Sequence, residues 1–238
     1  MRTFGLFSST SLLLMLHRMS KGTPVSDRSK VRRLPERGRY EKDVVNAVLD
    51  EGLVCHVALG GPDGPIVIPM GYARDGDSLL LHGSTASRLM QRLAAGEAAC
   101  VCVTLLDAMV LARSVFHHSM NYRSVVVFGR GEAIEDAVAK RAALDRLVDH
   151  LVPGRSAHAR EPNRKELNAT LIVALPLTEA SVKLREGPPG DAAADRELPF
   201  WGGLLPIETR AGVPEPDAIN TVDLPEHVAD WTPEGKRP

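Results

Sequence analysis

The sequence predicts a mainly β protein of the α+β class, a small closed antiparallel barrel carrying a few helices. Three observations predict it. Short, apolar, β-branched runs follow one another through tight turns between Leu53 and His82, which requires antiparallel pairing. Strands and helices do not alternate in the regular way that a parallel α/β sheet needs. Aromatic residues make up only 4% of the 238 residues, so the core is expected to be Val, Leu, Ala and Ile.

Within Glu41–Glu51, the residues Val44, Val45, Val48 and Leu49 recur at helical spacing, and Gly52 stands where such a helix stops. Leu53–Leu59 and Ile66–Tyr72 read as strands joined by the turn-rich Gly60-Gly61-Pro62-Asp63-Gly64. Arg74-Asp75-Gly76-Asp77 turns the chain into a third strand, Ser78–His82. Gly83-Ser84 then opens a helix over Thr85–Ala95 that ends at Gly96. Further strands are expected at Ala99–Leu106, Met109–Phe116 and Tyr122–Phe128, the last running on past Gly129 to Ile134. An amphipathic helix from Asp136 to Leu151 follows, and Ala169–Leu177 and Ala180–Arg185 are the closing strands.

The ends of the chain differ from its middle. Residues 1–40 carry nine Lys/Arg against two acids, a net of +7, and the rest carry twenty against twenty-eight, a net of −8, giving −1 in all. Residues 1–26 contain no acid. They read either as a transit-type or weak signal segment, or as an early start with Met15 or Met19 as the first residue. Residues 27–206 form the expected domain and 207–238 a Pro-rich acidic tail; nine of the seventeen prolines lie in 186–238. The basic leader lacks the interleaved aromatics of a nucleic-acid arm. The apolar run Leu12–Leu16 is far too short to span a membrane. Neither partner is expected. Three cysteines without framework spacing point to a reducing, cytoplasmic setting, with an organelle left open by the leader.

Four segments carry candidate chemistry. In His82-Gly83-Ser84-Thr85-Ala86-Ser87-Arg88, hydroxyls sit at the mouth of a helix, where free N–H groups attract an anion such as phosphate and Arg88, one turn inside, can add a charge. A plain Ser cap has the same pattern. Pro69 within Ile66-Val67-Ile68-Pro69-Met70 confines that strand to an edge, either to meet a flat heterocycle or to block aggregation. His117 and His118 point to opposite sides of an extended chain without acids or Cys at ligand spacing, so no metal site is expected. Nearby Arg123 and Ser124 are better placed to grip a polar ligand. Cys100 and Cys102 share a strand face as buried structural thiols. Lys183 and Arg185 also share a face, and Trp201 stands between Phe200 and Gly202-Gly203 as a stacking or packing residue.

Together with the lead-in Arg37-Gly38-Arg39-Tyr40, these segments resemble in their order the flavin-nucleotide-binding branch of the pyridoxamine 5′-phosphate oxidase superfamily, which includes nitroimidazole-reductase-like flavoproteins. The resemblance runs from Val31 to Pro206. It implies a six-stranded antiparallel split β-barrel with peripheral helices, a homodimer, and FMN bound between the subunits. It implies that Val67, Ile68, Pro69 and Met70 face the isoalloxazine and that His82, Gly83, Ser84, Ser87 and Arg88 surround the phosphate. Arg123 and Ser124 are implied to reach the flavin edge, and Trp201 to come from the tail near the site. Leu89 replaces the oxidase's Lys after its Ser-Arg pair, and no Arg-x-His pattern follows Trp201, so oxidation of pyridoxamine phosphate is not expected. The implied activity is an FMN-dependent oxidoreductase acting on a small molecule, with no catalytic residue assigned. The alternative is a carrier of flavin, haem or a deazaflavin without turnover.

Overall fold

The computed structural model describes residues 22–62 and 64–232. The expected leader lies outside them except for residues 22–26, where Ser26 donates to Glu179. The strands are β1 (Gly38–Arg39), β2 (Val54–Leu59), β3 (Ile66–Asp75), β4 (Ser78–Ser84), β5 (Ala98–Leu111), β6 (Ser119–Arg130), β7 (Glu132–Ala133), β8 (Thr170–Pro176), β9 (Glu179–Arg185) and β10 (Gly203–Pro206). They pair antiparallel in the order β1-β9-β6-β5-β2-β3-β4-β8-β7, with β10 added to β5.

The ladders do not form a closed ring. However, β7 follows β6 after Gly131 alone and pairs with β8, so the end of the sheet returns beside one of its own interior strands. The strands β6, β5, β2, β3, β4 and β8 make the wall of a split barrel, the architecture expected. The seam needs glycine: a Cβ on Gly131 would lie 2.3 Å from Val173 Cγ1 and 3.1 Å from the Leu93 carbonyl oxygen.

Five α-helices decorate the barrel among the described residues: α1 (Lys42–Glu51), α2 (Arg88–Ala94), α3 (Ala137–Leu151), α4 (Arg164–Ala169) and α5 (Glu226–Ala229). Helix α1 inserts Val44, Val45, Val48 and Leu49 into the main core, against β-strand residues such as Val57, Val101, Val125 and Val127. The buried Tyr72 hydroxyl donates to the Leu49 carbonyl oxygen at 2.6 Å, tying the last turn of α1 to β3. A smaller core forms where Ala143 and Leu147 of α3 pack on Ala73, Leu80 and Ile172. No helix among the described residues is long and apolar enough to cross a membrane.

The strand expected from Tyr122 to Ile134 is two, β6 and β7, and β10, α4 and α5 were not expected; two further differences bear on the site. The strands expected at Ala99–Leu106 and Met109–Phe116 are one strand, β5, of fourteen residues. Asp107 sits in a bulge between Leu106 and Ala108 that the ladder absorbs, and the chain turns only after Leu111. The helix expected from Thr85 starts at Arg88. Thr85 N donates to the Ala169 carbonyl oxygen at 3.0 Å, which keeps the chain extended past Ser84. Ser87 is therefore the cap, its Oγ accepting from Met90 N at 3.4 Å.

The tail runs over the surface and docks near its end. Trp231 Nε1 donates to the Leu151 carbonyl oxygen at 2.8 Å, and the His227 ring stacks on His158 with centroids 4.3 Å apart.

Candidate functional site

The strand register opens a wedge in the barrel wall. Tyr72–Asp75 pair with Leu81–Ser78, and the pairing of β3 with β4 stops at Tyr72 and Leu81. Before that point Ile66–Gly71 pair only with β2; beyond it His82–Ser84 pair only with β8. The strands diverge with Val67, Ile68, Pro69 and Met70 on one lip and His82, Gly83 and Ser84 on the other. The first lip is a free strand edge, which Pro69, having no N–H, suits. Ile68 stands opposite Val57, a core residue, yet is 44% exposed. The barrel interior is therefore uncovered at this point, and both faces of the strand are accessible.

The second lip is polar. Ser84 Oγ accepts from Ala86 N at 3.1 Å, and Ser87 caps α2. Gly83 lets α2 lie close against β4, since a Cβ there would be 2.8 Å from Met90 Cγ. Arg88 heads α2 instead of standing one turn inside it; it is exposed and makes no hydrogen bond or ion pair among the described residues. The His82 ring reaches solvent, but the protein around it lowers its pKa by desolvation, so it is neutral at pH 7.

The other predicted residues lie elsewhere in this chain. β6 stands three strands from β3, roughly 14 Å at about 4.8 Å per strand. Arg123 on β6 has a side chain only 13% exposed. Its Nη1 and Nη2 donate to Glu51 at 2.5 and 2.8 Å, and its Nη2 and Nε donate to Asp107 at 2.7 and 3.1 Å. Burial works against the guanidinium charge, but the bonds to Glu51 and Asp107 outweigh it and hold the pKa above its ordinary value. Instead of presenting free donors to a ligand, Arg123 ties together the end of α1, the β5 bulge and β6. The sequence reading missed Glu51 and Asp107; the one signal was an acid interrupting an apolar strand at Asp107. Ser124 points outward, its Oγ 2.9 Å from Thr104 Oγ1.

Trp201 is exposed at the start of the segment leading to β10, on the far end of β5, with its ring over Gly203. The loop before it is anchored by Asp191, which accepts from Arg113 N at 2.9 Å and from Arg113 Nη1 at 2.8 Å; these bonds hold its carboxyl below the usual range. Of the expected pair of cations, only Lys183 stays open. Arg185 is folded under the next turn, donating to the carbonyl oxygens of Gly187 at 3.2 Å and Pro188 at 3.1 Å. Cys55 lies in the core, where burial pushes its thiol up to about 12. Cys100 and Cys102 are half-buried on the outer sheet face, less covered than expected, and burial also raises Cys100. Cys55 and Cys100 are therefore not activated thiols.

A family model for pyridoxamine 5′-phosphate oxidase matches residues 41–184, from the start of α1 to β9. The chain belongs to the pyridoxamine 5′-phosphate oxidase family. The match spans both lips of the wedge and the Arg123 network. Among solved structures of this oxidase-like fold, the flavocytochrome Anf3 from Azotobacter vinelandii is similar at 38% identity and a TM-score of 0.83, over 87% of this chain and 97% of that one. The FAD- and haem-binding protein from Mycobacterium smegmatis is 40% identical with a TM-score of 0.79, over 82% of this chain and 97% of its own. A 5-nitroimidazole antibiotic resistance protein from Bacteroides thetaiotaomicron, at 21% identity and a TM-score of 0.51 over 61% and 85% of the two chains, shares the fold. No curated protein matches this member of the oxidase family.

Proposed function

We propose that this member of the oxidase family is a flavoprotein oxidoreductase that seats its flavin in the wedge between β3 and β4. The observation that carries the proposal is the divergence of the two strands at Tyr72 and Leu81. A flavin nucleotide needs a flat apolar bed, backbone groups for its ring edge and an anion-holding end for its phosphate. The free edge of Ile66–Gly71 offers the first two, and a Cβ on Gly71 would meet nothing within 4 Å. Ser84, Ser87 and Arg88 offer the third. Once bound, the flavin supplies the redox chemistry. The chain binds and orients it, and the neutral His82 can accept a proton at the rim.

FMN, implied by the resemblance, and FAD share the half that fits this wedge. The relative at 40% identity, an FAD- and haem-binding protein, favours FAD, and together with the flavocytochrome at 38% it favours a companion haem. His118 fits a haem iron. Its Nδ1 donates to the Ser114 carbonyl oxygen at 3.0 Å, which fixes the tautomer and leaves Nε2 with its lone pair. Beside it the side chains of Val115 and Phe116, the latter 87% exposed, offer apolar surface to a macrocycle. The same hairpin tip, with Leu204 and Leu205 on β10, is an apolar arm that a second copy would cover in a homodimer.

The purified protein is expected to be yellow and to bind FMN or FAD one per chain, and NAD(P)H or another donor is expected to bleach the flavin band. A colourless protein that takes up neither flavin at micromolar concentration overturns the proposal. A Soret band tests the haem separately.

A further inference from the structure

The outer face of the barrel carries a second opening. Side by side, β6 presents Tyr122 and Ser124, and β9 presents Ser181 and Lys183. Residues 31–33 lie across them and enclose a groove of about 300 Å³, at the small end of the ~300–1,000 Å³ range of ligand sites. No carboxylate lines it. Of its three cations, Arg32 is paired outside with Asp27. Arg33 and Lys183 make no hydrogen bond or ion pair among the described residues. Ser181 is only 7% exposed, and its hydroxyl has no partner among the described residues although it borders the groove.

These features fit together physically. The Ser181 hydroxyl and the two cations without a carboxylate partner all border the same groove, so their donors converge on one space. An oxyanion entering there would give the cations charge-assisted bonds and Ser181 an acceptor. Phosphate has the oxygens to meet Arg33, Lys183 and the two serines at once, and the Tyr122 ring adds a face on which a planar base can lie.

We infer that this groove binds the phosphate end of a nucleotide, with Arg33 and Lys183 gripping the phosphate, Ser124 and Ser181 completing its bonds, and Tyr122 beside the base. The site stands three and four strands from β3 and is separate from the wedge in this chain. The nucleotide is either free or the adenylate half of a dinucleotide such as FAD. Only that second source rests on the flavin reading.

The test uses the full chain and calorimetric titration with AMP, with inorganic pyrophosphate as competitor. AMP is expected to bind and pyrophosphate to displace it. Lys183→Gln and Arg33→Gln are each expected to weaken AMP binding more than about tenfold, the loss of one charge-assisted contact. Ser181→Ala is expected to weaken it less, and melting temperatures and FMN affinity are expected to stay at the parent values. If FAD affinity falls together with AMP affinity, the groove takes the adenylate of FAD. If FAD affinity holds while AMP affinity falls, the nucleotide is a separate ligand. Both outcomes support the site. It is overturned if AMP does not bind at millimolar concentration, or binds the Lys183→Gln, Arg33→Gln double variant as well as the parent. A parent chain that binds AMP but no FMN leaves the groove standing and sinks the flavin proposal instead.

Discussion

Arg88 and Arg123 carry the same side chain into opposite surroundings. Arg88 stands in solvent at the head of α2, with no partner among the described residues. Arg123 is shut inside the barrel wall, with Glu51 and Asp107 both accepting from it. The first leaves its donors uncommitted; the second uses them to hold an α-helix, a bulge and a strand together. An arginine near a predicted site becomes a candidate ligand only after its donors have been counted.

The strongest way to break this comparison is Arg123→Met. Two partly buried carboxylates lose their counter-charge, and stability is expected to fall by about 3 kcal/mol, the low end for breaking a buried pair because Asp107 is partly solvated. Urea unfolding checks the loss, and flavin affinity per folded molecule should not change. A variant that is fully stable but flavin-free would make Arg123 the ligand and reverse the comparison. Arg88→Ala is expected to do the opposite: flavin affinity falls more than tenfold, roughly 1.5–3 kcal/mol, with stability within about 0.5 kcal/mol of the parent. Flavin fluorescence titration measures it, and an unchanged dissociation constant removes the phosphate from that lip.

The smallest effect is expected at the docked tail. His227 Nε2 is closed off from solvent without a hydrogen-bond partner. Burial lowers its pKa, His158 and Arg155 lower it further, and Asp149 opposes them. A lowered value means that the uncharged ring docks and the protonated ring is disfavoured. Docking is therefore complete above the ordinary imidazole value of 6.5 and is lost as the pH falls through the lowered one. Limited proteolysis within residues 207–224 should speed up between pH 7.5 and about 5, and His227→Phe should remove most of that dependence. Equal cleavage rates at both pH values would show that the stack does not hold the tail.

How much of this was legible depended on how far each cause lay along the chain. Pro69 marks an edge by itself, and the edge is there. The wedge lips were readable because each is a local run. The start of α2 was not, because Ser84 and Ser87 are both competent caps and the decision falls to Ala169, a residue far along the sequence. The partners of Arg123 were hidden for the same reason: Glu51 is 72 positions away and comes beside it only through the barrel. Cys100 and Cys102 are less covered than expected because they lie on the outer face of β5, opposite the core-facing Val101 and Val103.

The bulge at Asp107 also sets a phase along β5. Before it the odd-numbered Val101 and Val103 are buried; after it the even-numbered Ala108 and Val110 are. One unpaired residue thus exchanges the meaning of odd and even within a single strand. Drawing Asp107 into the ladder as a paired residue would turn over each residue after it, placing Val110 outward and Met109 inward while β6 and β10 kept their own parity, whereas deleting Asp107 would leave Ala108 opposite Asn121 and Val110 inward. What the strand transmits to the hairpin tip is therefore a count of ladder positions, and Asp107 is the residue that this count leaves out.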